Sequence, residues 1–70
     1  MNLKITPDKH FRNTYLLEDG KAFIGIVHED YSDLTKRELS LTRNRMAVED
    51  IQEILDFIKS YDKWLTDDQW

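Results

Sequence analysis

The run FRNTYLLEDGKAFIGIVHED, residues 11–30, leaves this chain the fewest folding alternatives. Two stretches rich in aromatic and branched residues meet at Asp19–Gly20, a dipeptide that accepts the positive φ values of a tight hairpin turn. With those two residues as the loop, Glu18 lies opposite Lys21, Leu17 opposite Ala22, Leu16 opposite Phe23 and Tyr15 opposite Ile24. Side chains alternate along strands, so Phe11, Asn13, Tyr15 and Leu17 share the expected core face with Ala22, Ile24, Ile26 and His28. Arg12, Thr14 and Leu16 then share the other face with Phe23, Gly25 and Val27, which is half apolar with a glycine gap at its middle.

Around this hairpin the other elements follow from local signals. Leu3 and Ile5 form a short strand ended by Pro7, which has no N–H to donate. YSDL, residues 31–34, is a turn, and KRELSLTR, residues 36–43, is a further strand with Leu39 and Leu41 on one side. A helix is expected from Asn44, a suitable N-cap, to about Leu65. Glu49 and Asp50 near its start and Lys59 and Lys63 near its end suit the macrodipole. The expected fold class is α+β: a small antiparallel sheet of three to four strands, followed by one C-terminal helix packed on one face. Seventy residues make one domain at most, spanning 1–70.

The helix carries more apolar surface than one sheet face needs. Val48, Ile51, Leu55 and Ile58 form one stripe, extended by Ile54 and Leu65. Phe57, Tyr61 and Trp64 form a second, aromatic stripe displaced around the cylinder. A helix on a sheet covers an arc a little over about 100° wide, so the second stripe needs its own cover. Either the N-terminal segment and the tail ending in Trp70 supply it, or a second copy does. The expectation is a homodimer joined through Phe57, Tyr61, Trp64, Phe23 and Val27, since two-fold dimers are common and aromatic residues favour interface cores.

Several function classes are excluded or disfavoured. The chain has no cysteine, hence no disulfide, thiolate metal site or cysteine nucleophile. It has no apolar run of about 18 residues and no secretion signal, so a cytoplasmic protein with no membrane partner is expected. His28, Glu29, Asp30 and Asp33 cluster in HEDYSD, yet neighbouring strand residues diverge and the calcium-loop spacing is missing. His10, Ser32, Ser40, Ser60, Gly20 and Gly25 fall in no nucleophile or phosphate-loop pattern. The expectation is no enzyme, no catalytic residue, no metal and no cofactor.

Charge is the more informative signal. The net charge is −4, but residues 46–70 carry seven acids against two lysines, so the acidity belongs to the C-terminal third. Glu49, Glu53 and Asp56 form a ridge at i, i+4 and i+7 that lysines do not interrupt. They are the candidate partner-binding residues, suited to a basic groove on another protein such as a DNA-binding protein. Lys36, Arg37, Arg43 and Arg45 flank the last strand and, with Phe23 and Tyr31, are the alternative nucleic-acid-binding set.

TYLLEDGK, an apolar strand, LSLT and then a helix, in order over residues 11–60, resemble the short acidic phage inhibitors of uracil-DNA glycosylase. That resemblance implies a dimeric, DNA-mimicking inhibitor that presents acidic and aromatic groups to a DNA-binding groove. The junction ELSLTRNRMAVEDI is similar to the coactivator-type single-stranded DNA-binding modules, also dimeric, with Glu38 where those usually have glycine. The expected function is therefore a non-catalytic protein-binding protein, a phage-type inhibitor or regulator. The alternative is a dimeric single-stranded nucleic-acid-binding module.

Overall fold

The computed structural model describes residues 1–70. Four strands, β1 (Leu3–Pro7), β2 (Thr14–Asp19), β3 (Ala22–Glu29) and β4 (Arg37–Leu41), form an antiparallel sheet in the order β1-β2-β3-β4. One helix, α1 (Val48–Ser60), follows, and the tail closes with a 3₁₀ turn at Asp67–Gln69. The fold is α+β, with a four-stranded meander under a single helix. No helix is long and apolar enough to cross a membrane.

The hairpin forms where expected, but its register differs in two steps. Asp19 pairs with Ala22, so Gly20 and Lys21 are the loop. Of the two loop residues only Gly20 takes a positive φ, 61°, which fits the first loop position of a type II′ turn. A bulge follows, in which Glu18 faces Phe23, Leu17 faces Gly25 and Ile24 is the extra residue. One extra residue reverses the side-chain parity of the rest of the strand. Val27 therefore joins Tyr15 and Leu17 beneath the helix, while Ile26 and His28 turn to the open face. The expected core face was right for Asn13, Tyr15, Leu17 and Ile24, and inverted for the second half of β3; Phe11, in the turn before β2, and Ala22, at the hairpin loop, are exposed instead.

This parity arranges the covered face in rows across the strands. Ile5, Leu17, Gly25 and Leu41 form one row, and Pro7, Tyr15, Val27 and Leu39 the next. Asn13, Glu29 and Arg37 extend the pattern as a polar row at the end of the sheet. Gly25 fills a real gap, because a Cβ there would stand 2.6 Å from the Ser40 carbonyl oxygen. The buried apolar core is small: Ile5, Tyr15, Leu17, Ile24, Val27 and, from the helix, Ile54.

The helix is shorter than its sequence suggests. Ala47, not Asn44, occupies the N-cap, because the chain from Thr42 is still tied to the sheet by a 2.9 Å bond to the Ile24 carbonyl. At the other end Tyr61 leaves the helix in an extended conformation, at φ −68° and ψ 131°. That uncoiling brings Tyr61 and Trp64 back over the sheet instead of around the cylinder. Trp64 meets Tyr15 edge-on at 4.7 Å, Tyr61 meets Trp64 at 4.7 Å, and Trp70 meets Tyr15 at 5.3 Å. Phe57, Tyr61 and Trp64 are thus half-buried around the chain's own core. Val27 is fully buried and offers nothing to a second copy, whereas Phe23 stays 47% exposed on the open face.

Two substitutions and one control test this packing by urea denaturation. Gly25→Ala should cost about 1–3 kcal/mol, because only backbone movement relieves the clash. Ile54→Ala should cost about 2–5 kcal/mol as a cavity in a small core. Val48→Ala, at a residue 77% exposed, should stay within about 0.5 kcal/mol. Equal effects at the three positions would contradict the packing described.

Candidate functional site

The polar row lies under the tail. Glu29 and Arg37 face each other across β3 and β4, and the guanidinium approaches the carboxylate at 3.4 Å. The Glu29 side chain is 1% exposed, and its Oε1 has no hydrogen-bond partner. Arg37 in turn lies 4.2 Å from the centroid of the Trp64 ring, a cation–π contact that fastens the tail to the sheet. Asn13 is fully buried at a φ of 58°, a conformation asparagine tolerates better than most residues. Its amide nitrogen and oxygen are unpaired within the chain, as is the Trp70 indole nitrogen.

Tyr15 joins the row to the tail. Its hydroxyl accepts the Leu65 N–H at 2.8 Å. Burial pushes this phenol above the ordinary tyrosine range, and the neighbouring Glu29 carboxylate adds to the shift. Tyr61 is raised as well, by burial and then by Asp62. The arrangement clamps the tail, and it seals the Glu29 carboxylate away from the surface.

The acidic ridge stands on the opposite side of the helix layer. Glu49, Glu53 and Asp56 are all exposed. Glu53 pairs with the Met1 ammonium at 2.8 Å, which raises the pKa of that amine, and Asp56 accepts the Gln52 amide at 2.9 Å. Glu49 is in neither ion pair of the structure. Asp62, Asp67 and Asp68 continue the exposed acids along the tail.

The four basic candidates do not converge. Arg37 is turned to the covered face and held by Glu29 and Trp64, while Lys36 precedes it with its backbone carbonyl bonded to Asp30. Arg43 and Arg45 lie exposed past the far end of β4. The 28–35 segment is tied to itself. His28 Nδ1 lies 3.2 Å from the Thr14 hydroxyl, and its ring meets Tyr31 edge-on. Asp30 accepts the Ser32 hydroxyl at 2.7 Å, and Asp33 accepts the Thr35 hydroxyl at 2.6 Å. These side-chain bonds, with the matching backbone N–H bonds, hold both carboxyls below the ordinary range. His10 is exposed, with its backbone N–H on Asp8.

Nothing in the sequence announces the groove beside β4. A half-open groove of about 380 Å³ runs between β4 and α1. Its walls are mainly Leu39, Leu55, Ile58, Tyr61 and Trp64, with Arg37 and Lys59 at its polar margin. The alternation of Leu39 and Leu41 was legible, but the groove also needs the β3 parity and the end of α1 at Ser60. Comparison with family models, with curated proteins and with solved structures finds no match to this chain.

Two expectations follow from the clamp. Arg37→Ala leaves the buried Glu29 charge uncompensated and should cost about 3–5 kcal/mol, whereas Arg37→Leu with Glu29→Leu should cost far less. Urea midpoints of the single and double variants decide this, and equal losses would remove the ion pair from the argument. Tyr15→Phe should cost about 1 kcal/mol at neutral pH through the lost Leu65 bond. Because the folded pKa of Tyr15 is raised, its contribution is whole below the unfolded value of about 10 and is lost as pH rises through the folded one. The wild-type midpoint should therefore fall with pH above about 10, more steeply than that of Tyr15→Phe. Parallel curves would show that Tyr15 is not the source.

Proposed function

We propose that this chain is a small non-catalytic protein-binding protein whose acidic helix-and-tail layer occupies a basic groove on another protein. A DNA-binding protein is the partner best suited to it, with the chain acting as a DNA mimic. The observation that carries this reading is the separation of charge between the two layers. Residues 46–70, which form the outer layer, hold seven acids and two lysines, while residues 1–45 hold eight basic and seven acidic groups. Glu49, Glu53 and Asp56 face outward from that layer, where a convex acidic surface can replace phosphates in a cationic cleft.

Such a protein would act in the cytoplasm, as an inhibitor or regulator of the kind phages encode. The reading does not use a homodimer, because Phe57, Tyr61 and Trp64 already pack within the chain. The competing class is a single-stranded nucleic-acid-binding module. It is favoured by the exposed Phe23 and Tyr31, at 47% and 63%.

Capture from a bacterial lysate on immobilised protein, with and without nuclease, separates the two. Discrete proteins should survive nuclease and elute as ionic strength rises from about 0.1 to 1 M, where the Debye length falls from about 10 to 3 Å. A folded Glu49→Lys, Glu53→Lys, Asp56→Lys variant should lose them. Retention of the same proteins by that variant would reject the acidic face. Nucleic acid retained by the wild type and removed by nuclease would move the function to the sheet side.

A further inference from the structure

The outer edge of β4 is unpaired, and what lies beside it makes that edge specific. Lys36 O accepts from Asp30 N, and Thr42 N donates to Ile24 O. In an antiparallel ladder the bonding residues alternate, so Lys36, Glu38, Ser40 and Thr42 face β3. The N–H and C=O groups of Arg37, Leu39 and Leu41 therefore point away from the sheet, and none has a partner within the chain. Their side chains lie on the helix side, so a strand added at this edge sends alternate side chains towards α1. The 380 Å³ groove opens there, between β4 and the last turns of the helix.

The groove also carries a charge preference. Arg37 makes one 3.4 Å contact to Glu29 and stacks on Trp64, which leaves most of its five N–H donors unused. Lys59 is exposed and in no ion pair. Glu38 is the one acid on the groove wall, and strand alternation turns its side chain towards the open face of the sheet. Arg37 is the first residue of β4, and Lys59 stands in the last turn of α1 on the lining of the same groove. A strand running antiparallel to β4 ends beside Arg37, so its own carboxylate arrives at the cationic margin of the groove.

We propose that the β4 edge and this groove bind the C-terminal segment of a partner protein as an added antiparallel strand. Residues opposite Leu41, Leu39 and Arg37 turn to the helix side, and an apolar side chain there fills the groove. The terminal carboxylate is held by Arg37 and Lys59. Main-chain bonds supply affinity, and the groove and the carboxylate supply selectivity. This site uses none of Glu49, Glu53 or Asp56, so it stands or falls independently of the acidic-face reading.

The test is a library of random hexapeptides with free C-termini, screened against the full chain beside the same library amidated. Selected peptides should be apolar at the last or third-from-last residue and bind about tenfold more weakly once amidated. Lys59→Glu should weaken the free-acid peptides to a similar degree without altering the fold. N-methylation at the residues opposite Leu39 and Leu41 should abolish binding, and methylation of the intervening residues should not. The Arg37, Leu39 and Leu41 amide resonances should shift and gain exchange protection on binding. No saturable binding by any free-acid peptide up to about 1 mM would overturn the proposal. Shifts confined to Leu16, Phe23 and Ile26 on the open face would also overturn it. So would protection of the three amides in concentrated protein alone that is lost on dilution, which would make a second copy the occupant.

Discussion

The single extra residue at Ile24 is the constraint on which the rest of the molecule depends. Without the bulge, β3 would present Ile26 and His28 to the helix and send Val27 and Glu29 to the open face. Val27 would leave the core, and Glu29 would no longer stand opposite Arg37 on the covered side. Arg37 would then lose its reason to lie over Trp64, and the tail its charged anchor. Ile24 itself is not wasted by the irregularity, since it is only 6% exposed and packs in the core.

A chain of this size without disulfides must find its stability elsewhere. Here six buried apolar side chains are extended by a tail of aromatic residues folded over Tyr15. Each edge-on aromatic contact contributes on the order of 0.5–1.5 kcal/mol beyond its area, and three such contacts meet in this cluster. Cation–π stacking of Arg37 adds about 0.5–2 kcal/mol, depending on how far it is desolvated. The tail thereby does the work that a second subunit would do for a bare helix on a sheet. It also ends the groove beside β4, because Tyr61 and Trp64 are shared by the clamp and the groove wall.

The two layers differ in chemistry as much as in structure. The helix and tail hold the acids outward and the aromatics inward, so one layer both completes the core and sets the charge of the outer surface. The sheet layer is nearly neutral, with Phe23, Leu16 and Ile26 on its open face and an unpaired edge at β4. Unpaired edges invite strand addition, and many proteins blunt them with charge. Arg37, Glu38 and Lys36 at one end of β4 partly serve that purpose, and they also give the edge its selectivity.

The sequence by itself determined the elements and their order: the strand before Pro7, the hairpin at Gly20, the strand around Leu39 and Leu41, and the helix with its outward Glu49, Glu53 and Asp56. These are local properties, since turn chemistry, alternation and helical spacing need only neighbouring residues. It also placed the acidity in the C-terminal third, because charge counting needs no fold. The inward stripe of the helix was placed less well, since Val48, expected at its head, is 77% exposed and Ile54, expected at its margin, is the buried residue. Tertiary structure alone decided which face of β3 is covered, where α1 stops and what the aromatic residues touch. A period-two pattern reverses with one inserted residue, and FIGIV is apolar in either parity, so only the helix above it could choose. The end of α1 at Ser60 was equally hidden. Phe57, Tyr61 and Trp64 keep helical spacing in sequence, but Tyr15, more than forty residues earlier, offers Trp64 a surface, and Trp64 in turn packs against Tyr61.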